Sequence, residues 1–123
     1  MNFVFYDLET TGRSTQWDQI LQIAAILTDS NLNVLDSINE TCKIRSYCLP
    51  NPEALLVNKI PIKTLLNSNL SLYQLILNVF NKFQSWSPAI YIGYNSIMYD
   101  EEMLRAAFFT NLFDPYLTIK DGN

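Results

Sequence analysis

No histidine occurs among the 123 residues. That absence removes histidine general acid–base chemistry and Ser-His-Asp catalysis from the groups this chain can supply. Basic residues are also few: eight Lys and Arg stand against twelve Asp and Glu, for a net charge of −4. A broad electrostatic grip on nucleic acid normally needs a basic surface, so none is expected. An enzyme that meets phosphate through cations is still allowed, because bound cations invert the local charge logic. There are only two cysteines, Cys42 and Cys48. Their spacing matches no zinc motif and no histidine is present to complete one, so free, buried or half-buried thiols are expected. No apolar run approaches the roughly 20 residues of a membrane span. No basic segment precedes the first apolar residues, so no signal peptide is expected and the protein is read as soluble and cytoplasmic. The length suits one domain, and nearly half the residues are hydrophobic, enough for a real core.

What is present is concentrated first in Phe3-Val4-Phe5-Tyr6-Asp7-Leu8-Glu9-Thr10-Thr11-Gly12. Strand side chains alternate faces, which puts Phe3, Phe5, Asp7 and Glu9 on one side and Val4, Tyr6, Leu8 and Thr10 on the other. Both faces begin apolar, so the stretch reads as a central strand covered on both sides. Asp7 and Glu9 come only at its C-terminal end, roughly 6.5–7 Å apart along the strand. Carboxylates at that spacing can close around a shared divalent cation; oxygen-rich sites suit Mg²⁺ or Mn²⁺, and paired ions of that kind drive phosphodiester hydrolysis. A strand running out into solvent produces the same Asp-x-Glu pattern, and the pattern alone does not separate the two readings.

Further along, polar residues from Gly12 to Gln19 read as a loop with Trp17 as a packing anchor. Ile20–Thr28 reads as a second buried strand, Asp29-Ser30-Asn31 as a turn, and a third, more exposed strand falls within Val34–Ile44. Short connections favour an antiparallel meander. Pro52 and Pro61 open two short helical pieces, ending near Val57 and Leu66. From Ser71 to Trp86 the spacing of Leu72, Leu75, Ile76, Val79, Phe80 and Phe83 gives one apolar helical face, with Ser71 and Gln74 placed as a capping box and Ser87-Pro88 as the stop. Ala89–Gly93 is a short buried strand; reached by a helical crossover, it is expected to run parallel to a partner already in the sheet.

A second chemistry-bearing stretch follows, Gly93-Tyr94-Asn95-Ser96-Ile97-Met98-Tyr99-Asp100-Glu101-Glu102. Asp100 precedes a helix whose inner face takes Met103 or Leu104, Ala107 and Phe108. An N-cap role explains Asp100 without any chemistry. A strand–loop–helix placement also brings it to the C-terminal end of the sheet, where open α/β folds hold ligands. That is the end bearing Asp7 and Glu9 if the new strand lies parallel to the first and beside it. Asn95 reads equally as a loop-capping amide. Asn111–Pro115 breaks the helix and Tyr116–Asn123 reads as a polar tail.

Taken in order, Phe5-Tyr6-Asp7-Leu8-Glu9-Thr10-Thr11-Gly12 and Asn95-x-x-x-Tyr99-Asp100 resemble the first and second motifs of the Asp-Glu-Asp-Asp 3′→5′ exonucleases. The runs Trp86–Ser96, Tyr99-Asp100-Glu101, Asp114-Pro115-Tyr116 and Leu49–Val57 are similar to the exodeoxyribonuclease I group of that superfamily. The resemblance implies an α/β, ribonuclease H-like fold: a mixed sheet, with a three-strand antiparallel meander plus a parallel strand, and flanking helices. It implies hydrolysis of single-stranded DNA from its 3′ end to 5′-mononucleotides with two Mg²⁺ or Mn²⁺ ions. Asp7, Glu9 and Asp100 would be the catalytic metal ligands, Asp7 reaching both ions. The backbone of Leu8 to Thr10 and the side chain of Asn95 would meet the substrate. No membrane partner is implied.

The same superfamily carries a third element, a histidine or tyrosine followed by a fourth metal-binding aspartate, and nothing here matches it. Asp114 lies inside the Asp-Pro-Tyr run and Asp121 in the polar tail, so neither is a ready substitute. Residues 1–123 are therefore expected to form a single partial exonuclease domain with its C-terminal elements missing, from a truncated or split gene. The alternatives are a non-catalytic remnant binding nucleic acid or metal, and a subunit completed by a separate chain carrying the missing motif. Without the last elements, part of the sheet and the Phe80/Phe83 helix face are expected to be uncovered, leaving a marginal, association-prone chain.

Overall fold

The computed structural model describes residues 1–12, 14, 18–44, 68–93 and 101–119. Four strands form one sheet: β1 (Asn2–Thr10), β2 (Ile20–Thr28), β3 (Val34–Thr41) and β4 (Ala89–Gly93), in the order β3-β2-β1-β4. β1 pairs antiparallel with β2 and parallel with β4, and β2 pairs antiparallel with β3. Helix α1 (Leu72–Trp86) makes the crossover into β4, and α2 (Glu101–Thr110) follows. The expected meander with one parallel strand is therefore present, and β1 is an inner strand. Trp17, Cys48, Asn95, Asp100, Asp121 and the two proline-led helical pieces lie outside the described residues.

Each turn has a local cause. Asp29 accepts hydrogen bonds from the backbone N–H groups of Asn31 and Asn33 at 2.9 and 3.0 Å, so its side chain closes the β2–β3 hairpin. The Asn33 and Asn31 bonds hold the Asp29 carboxyl below its ordinary value. Ser71 caps α1: its hydroxyl accepts from the Gln74 backbone N–H at 3.1 Å, as the Ser-x-x-Gln spacing predicts. Leu75, Ile76, Val79, Phe83 and Trp86 form the buried stripe of α1.

The core lies between this stripe and one face of the sheet. Val4, Tyr6, Leu8, Ile23, Ala25 and Leu27 point into it, joined by Met103, Leu104 and Phe108 from α2. Phe83 is the hub, with ring centroids 6.2 Å from Tyr6, 5.1 Å from Tyr91 and 5.7 Å from Trp86. The Tyr91 hydroxyl donates to the Phe83 carbonyl at 2.9 Å, tying β4 to α1. Cys42 is a buried thiol whose Sγ–H donates to the Ile20 carbonyl.

Three expectations are corrected. β1 is not sealed on both sides: Phe3 and Phe5 are only half-buried, and their neighbours Ile26 and Ile92 are 38% and 39% exposed. The helix face is not the open surface. Phe83 is fully buried, and Phe80 packs on Phe108 and Phe113 at 5.3 and 4.7 Å, because α2 and the turn after it fold back onto α1. Nor is the end of the chain merely a polar tail: Leu117–Ile119 forms a 3-10 turn in which Leu117 and Thr118 are buried. Leu117 supplies an apolar group to the core, which outweighs the polarity of its neighbours.

Candidate functional site

Asp7 and Glu9 sit where the central strand runs out of its parallel neighbour. The β1–β4 ladder ends at Tyr6 and Gly93, while β1 continues to Thr10 against β2. Asp7 is exposed and Glu9 is half-buried, on the face that carries Phe5 before them. Across the β1–β2 ladder their partners are Ala24 and Gln22, and those of Phe5 are Ile26 on β2 and Ile92 on β4. Two carboxylates thus stand at the C-terminal end of an apolar floor, one beside the small side chain of Ala24. Leu8 points the other way into the core, so only its backbone is available on this side.

The strand ends in a built loop. Between Glu9 and Thr10 the register shifts: Glu9 opposes Gln22 but Thr10 opposes Ile20, which leaves Leu21 as a bulge on β2. Bulges concentrate beside functional sites because they re-aim the chain. Past the bulge the Thr11 N–H donates to the Gln19 carbonyl at 2.9 Å. The Thr11 hydroxyl donates to Asp18 Oδ1 at 2.8 Å and accepts from the Gln19 N–H at 2.9 Å. Ser14 N–H donates to Asp18 Oδ2 at 2.9 Å, and the Thr10 hydroxyl donates to the Gly12 carbonyl at 2.7 Å. Gln19 is buried and its amide donates to the carbonyls of Ile20 and Lys43, anchoring the base of the loop. The sequence shows Asp18 and Gln19 only as members of a polar stretch; no spacing marks them.

Asp100 and Asn95 lie outside the described residues. The backbone on either side of them is described. β4 is parallel to β1 and adjacent to it, so the chain leaves Gly93 at the same end of the sheet as Asp7 and Glu9 and re-enters at Glu101. The condition attached to Asp100 in the sequence, a parallel neighbouring strand, is met. Among the described residues no group of three or more acidic, cysteine or histidine side chains is gathered as a metal site. Asp114 accepts the Tyr116 N–H at 2.9 Å and closes its own turn. An open polar groove of about 550 Å³ between β3 and α1 is lined by Asn39, Glu40, Asn78 and Lys82 among others; neither Asp7 nor Glu9 reaches it.

Comparison with known proteins speaks to the family and the fold. The exodeoxyribonuclease I of Buchnera aphidicola from Acyrthosiphon pisum is 34% identical over 124 aligned positions, covering 99% of this chain and 30% of that protein. The Haemophilus influenzae exodeoxyribonuclease I is 34% identical, with 99% of this chain and 26% of that protein covered. Among solved structures, Escherichia coli exonuclease I in complex with a dT13 oligonucleotide superposes with a TM-score of 0.88 at 29% identity, covering 99% of this chain and 26% of that one. The chain thus spans less than a third of the length of the relatives it matches, and its fold is the ribonuclease H-like one of that N-terminal portion. The exonuclease family profile matches residues 4–121, from the first core residue of β1 to past the 3-10 turn at Leu117–Ile119, and the chain therefore belongs to the exonuclease family.

Proposed function

We propose that the chain carries the carboxylate part of a 3′→5′ exonuclease site of the exodeoxyribonuclease I type, acting on the 3′ end of single-stranded DNA and releasing 5′-mononucleotides. The observation that carries this reading is the placement of Asp7 and Glu9. Both stand on an accessible face at the C-terminal end of an inner strand, beside the exit of a parallel neighbour. Binding at that end is the rule for open α/β sheets. A dT13 oligonucleotide accompanies the matched Escherichia coli structure.

The donor set fits a hard divalent cation: carboxylate oxygens, with no imidazole in the chain and the one described thiol buried. Asp7, Glu9 and Asp100 would hold Mg²⁺ or Mn²⁺, with two ions in the completed site. Bound there, such ions supply charge that activates a water and stabilises the leaving 3′ oxygen. The chain's own residues orient the DNA. On the β4 side the backbone of Leu8 to Thr10 runs on beyond the end of the ladder, where a terminal nucleotide can lie along it. Asn95 would meet the same nucleotide from the loop after β4. The negative chain tolerates DNA at this point because the cations reverse the local sign. No histidine of this chain can accept the attacking water's proton, so turnover by the chain alone should be slower by about 10²–10⁴-fold than with a positioned base. A complementing chain carrying the missing motif would supply such a base. Among the described residues no helix is long and apolar enough to cross a membrane, and a cytoplasmic location goes with the proposed substrate.

The test is release from 3′-end-labelled single-stranded DNA with Mg²⁺ or Mn²⁺, comparing the chain with Asp7→Ala. Metal-dependent release lost in the variant is the expected result. Equal release from both overturns the reading, and metal-dependent binding without turnover identifies a binding remnant.

A further inference from the structure

We infer that Asp18 is a positioning residue for the proposed nuclease site, fixing the Thr11–Gly12 backbone that directly continues the Leu8–Thr10 stretch along which the 3′-terminal nucleotide lies. This rests on the function proposed above. Both carboxylate oxygens of Asp18 are already engaged, Oδ1 by the Thr11 hydroxyl and Oδ2 by the Ser14 N–H. The Asp18 N–H donates back to the Ser14 carbonyl at 3.0 Å. A carboxylate filled by protein donors in this way is committed to holding the loop and not to a metal ion. Its carboxylate packs closely on the strand end at Gly12. A Cβ added at Gly12 would lie 2.5 Å from Asp18 Oδ2, so the glycine is needed because the carboxylate packs against its backbone.

The division of labour follows from where the sheet stops. Asp7 and Glu9 are held by the β1–β2 ladder, at Ala24 and Gln22. Thr10 is the last residue in that ladder, and beyond it the Thr11 N–H bonds to the Gln19 carbonyl. From Thr11 to Gly12 the side chains of Thr10, Thr11 and Asp18 hold the chain's course, through the Gly12 carbonyl, the Asp18 carboxylate and the Gln19 N–H. Losing the Asp18 contacts should therefore leave the metal-binding pair in place and disorganise the peptide groups beside it. A displacement of about 1 Å at a positioning contact can cost on the order of 100-fold.

Three variants break the lock from different sides. Asp18→Asn keeps the size but sets an N–H group against a donor, Thr11→Val removes the hydroxyl while keeping the shape, and Gly12→Ala pushes on the carboxylate. Each is compared with the wild-type chain by melting temperature, by calorimetric titration with Mn²⁺, and by the anisotropy of a 5′-labelled oligothymidylate in Ca²⁺. The expected result is Mn²⁺ affinity within about two-fold of wild type but oligonucleotide affinity down about ten- to hundred-fold in all three. Thr11→Ser, which restores the hydroxyl, should recover the oligonucleotide affinity. Unchanged oligonucleotide affinity in the variants overturns the inference. So does an equal loss of Mn²⁺ and oligonucleotide binding, which assigns Asp18 to the stability of the whole strand end. Failure of the wild-type chain itself to bind the oligonucleotide, or binding that survives Asp7→Ala, identifies a failure of the underlying nuclease reading, and the inference falls with it.

Discussion

Truncating Phe83 to alanine separates what holds the fold from what forms the site. Phe83 is fully buried and contacts Tyr6 on β1, Tyr91 on β4 and Trp86 on its own helix. Its ring is the wedge between α1 and the two strands that frame the carboxylate end. Phe→Ala changes in such cores cost about 3–5 kcal/mol, the transfer term plus the cavity left behind. A domain of this size has about 5–15 kcal/mol in total, so the variant loses a large share of its stability. With an unfolding entropy of about 2.1 cal/mol/K per residue over the whole chain, the loss lowers the melting temperature by about 12–19 °C. Asp7 and Glu9 lie on the other face of β1, so Mn²⁺ affinity at low temperature, where the variant is still folded, should match the wild type. Differential scanning calorimetry and a Mn²⁺ titration at 10–15 °C below the variant's transition check both parts. A drop of less than about 4 °C would refute the assignment of Phe83 as the hub, because that is what about 1 kcal/mol produces in a chain of this length. A drop of the expected size with lost metal affinity would refute the separation of the two faces.

Replacing the α1 cap, Ser71→Ala, removes the acceptor for the Gln74 N–H and should destabilise the fold by about 1 kcal/mol in denaturant titration. Asp36 accepts from Trp86 Nε1 and from Lys82, both at 3.0 Å, and from the Ser37 N–H; these contacts, the Trp86 bond foremost, hold its carboxyl down to about 2. A carboxyl depressed on folding stabilises the native state above its unfolded value, near 3.8, and loses that contribution as the pH falls towards 2. Acid unfolding followed by tryptophan fluorescence should therefore show a step in that window that is missing from Asp36→Asn. Sedimentation of the chain should show self-association that declines when Ile26 and Ile92, the exposed apolar residues on the open sheet face, are both changed to threonine. Monomeric behaviour of the unmodified chain across the concentration range would refute that expectation.

Much of the architecture is legible in the sequence because it rests on local rules. The α1 stripe follows from helical periodicity and its start from Ser71, and β2 and β3 follow from β-branched runs divided by the Asp29 turn. The parallel placement of β4 follows from the handedness of a helical crossover. Coverage of the sheet faces was not legible. Phe3 and Phe5 look as ready for burial as Val4 and Tyr6, and only tertiary packing decides which side α1 and α2 take. Leu117 illustrates the same point, a single apolar residue in a polar segment that finds the core through a turn. At the site, the Asp7–Glu9 pair was legible from strand alternation. The Asp18 lock was not, because a side chain that returns across a loop onto a strand end leaves no periodic trace.

The parallel pairing of β1 with β4 also sets an order of events during synthesis. Partners such as Phe3 and Ile90 are separated by 87 positions, whereas β1, β2 and β3 meet through short connections. On a growing chain the hairpins can form while the residues of β4 are still inside the ribosome, and the cost of closing so long a loop falls last. Asp7 and Glu9 are thus made well before β4, and the frame around them is completed only when β4 docks. Appearance of divalent-ion affinity on a stalled nascent chain would time that final docking step, and chains arrested before Gly93 should lack it.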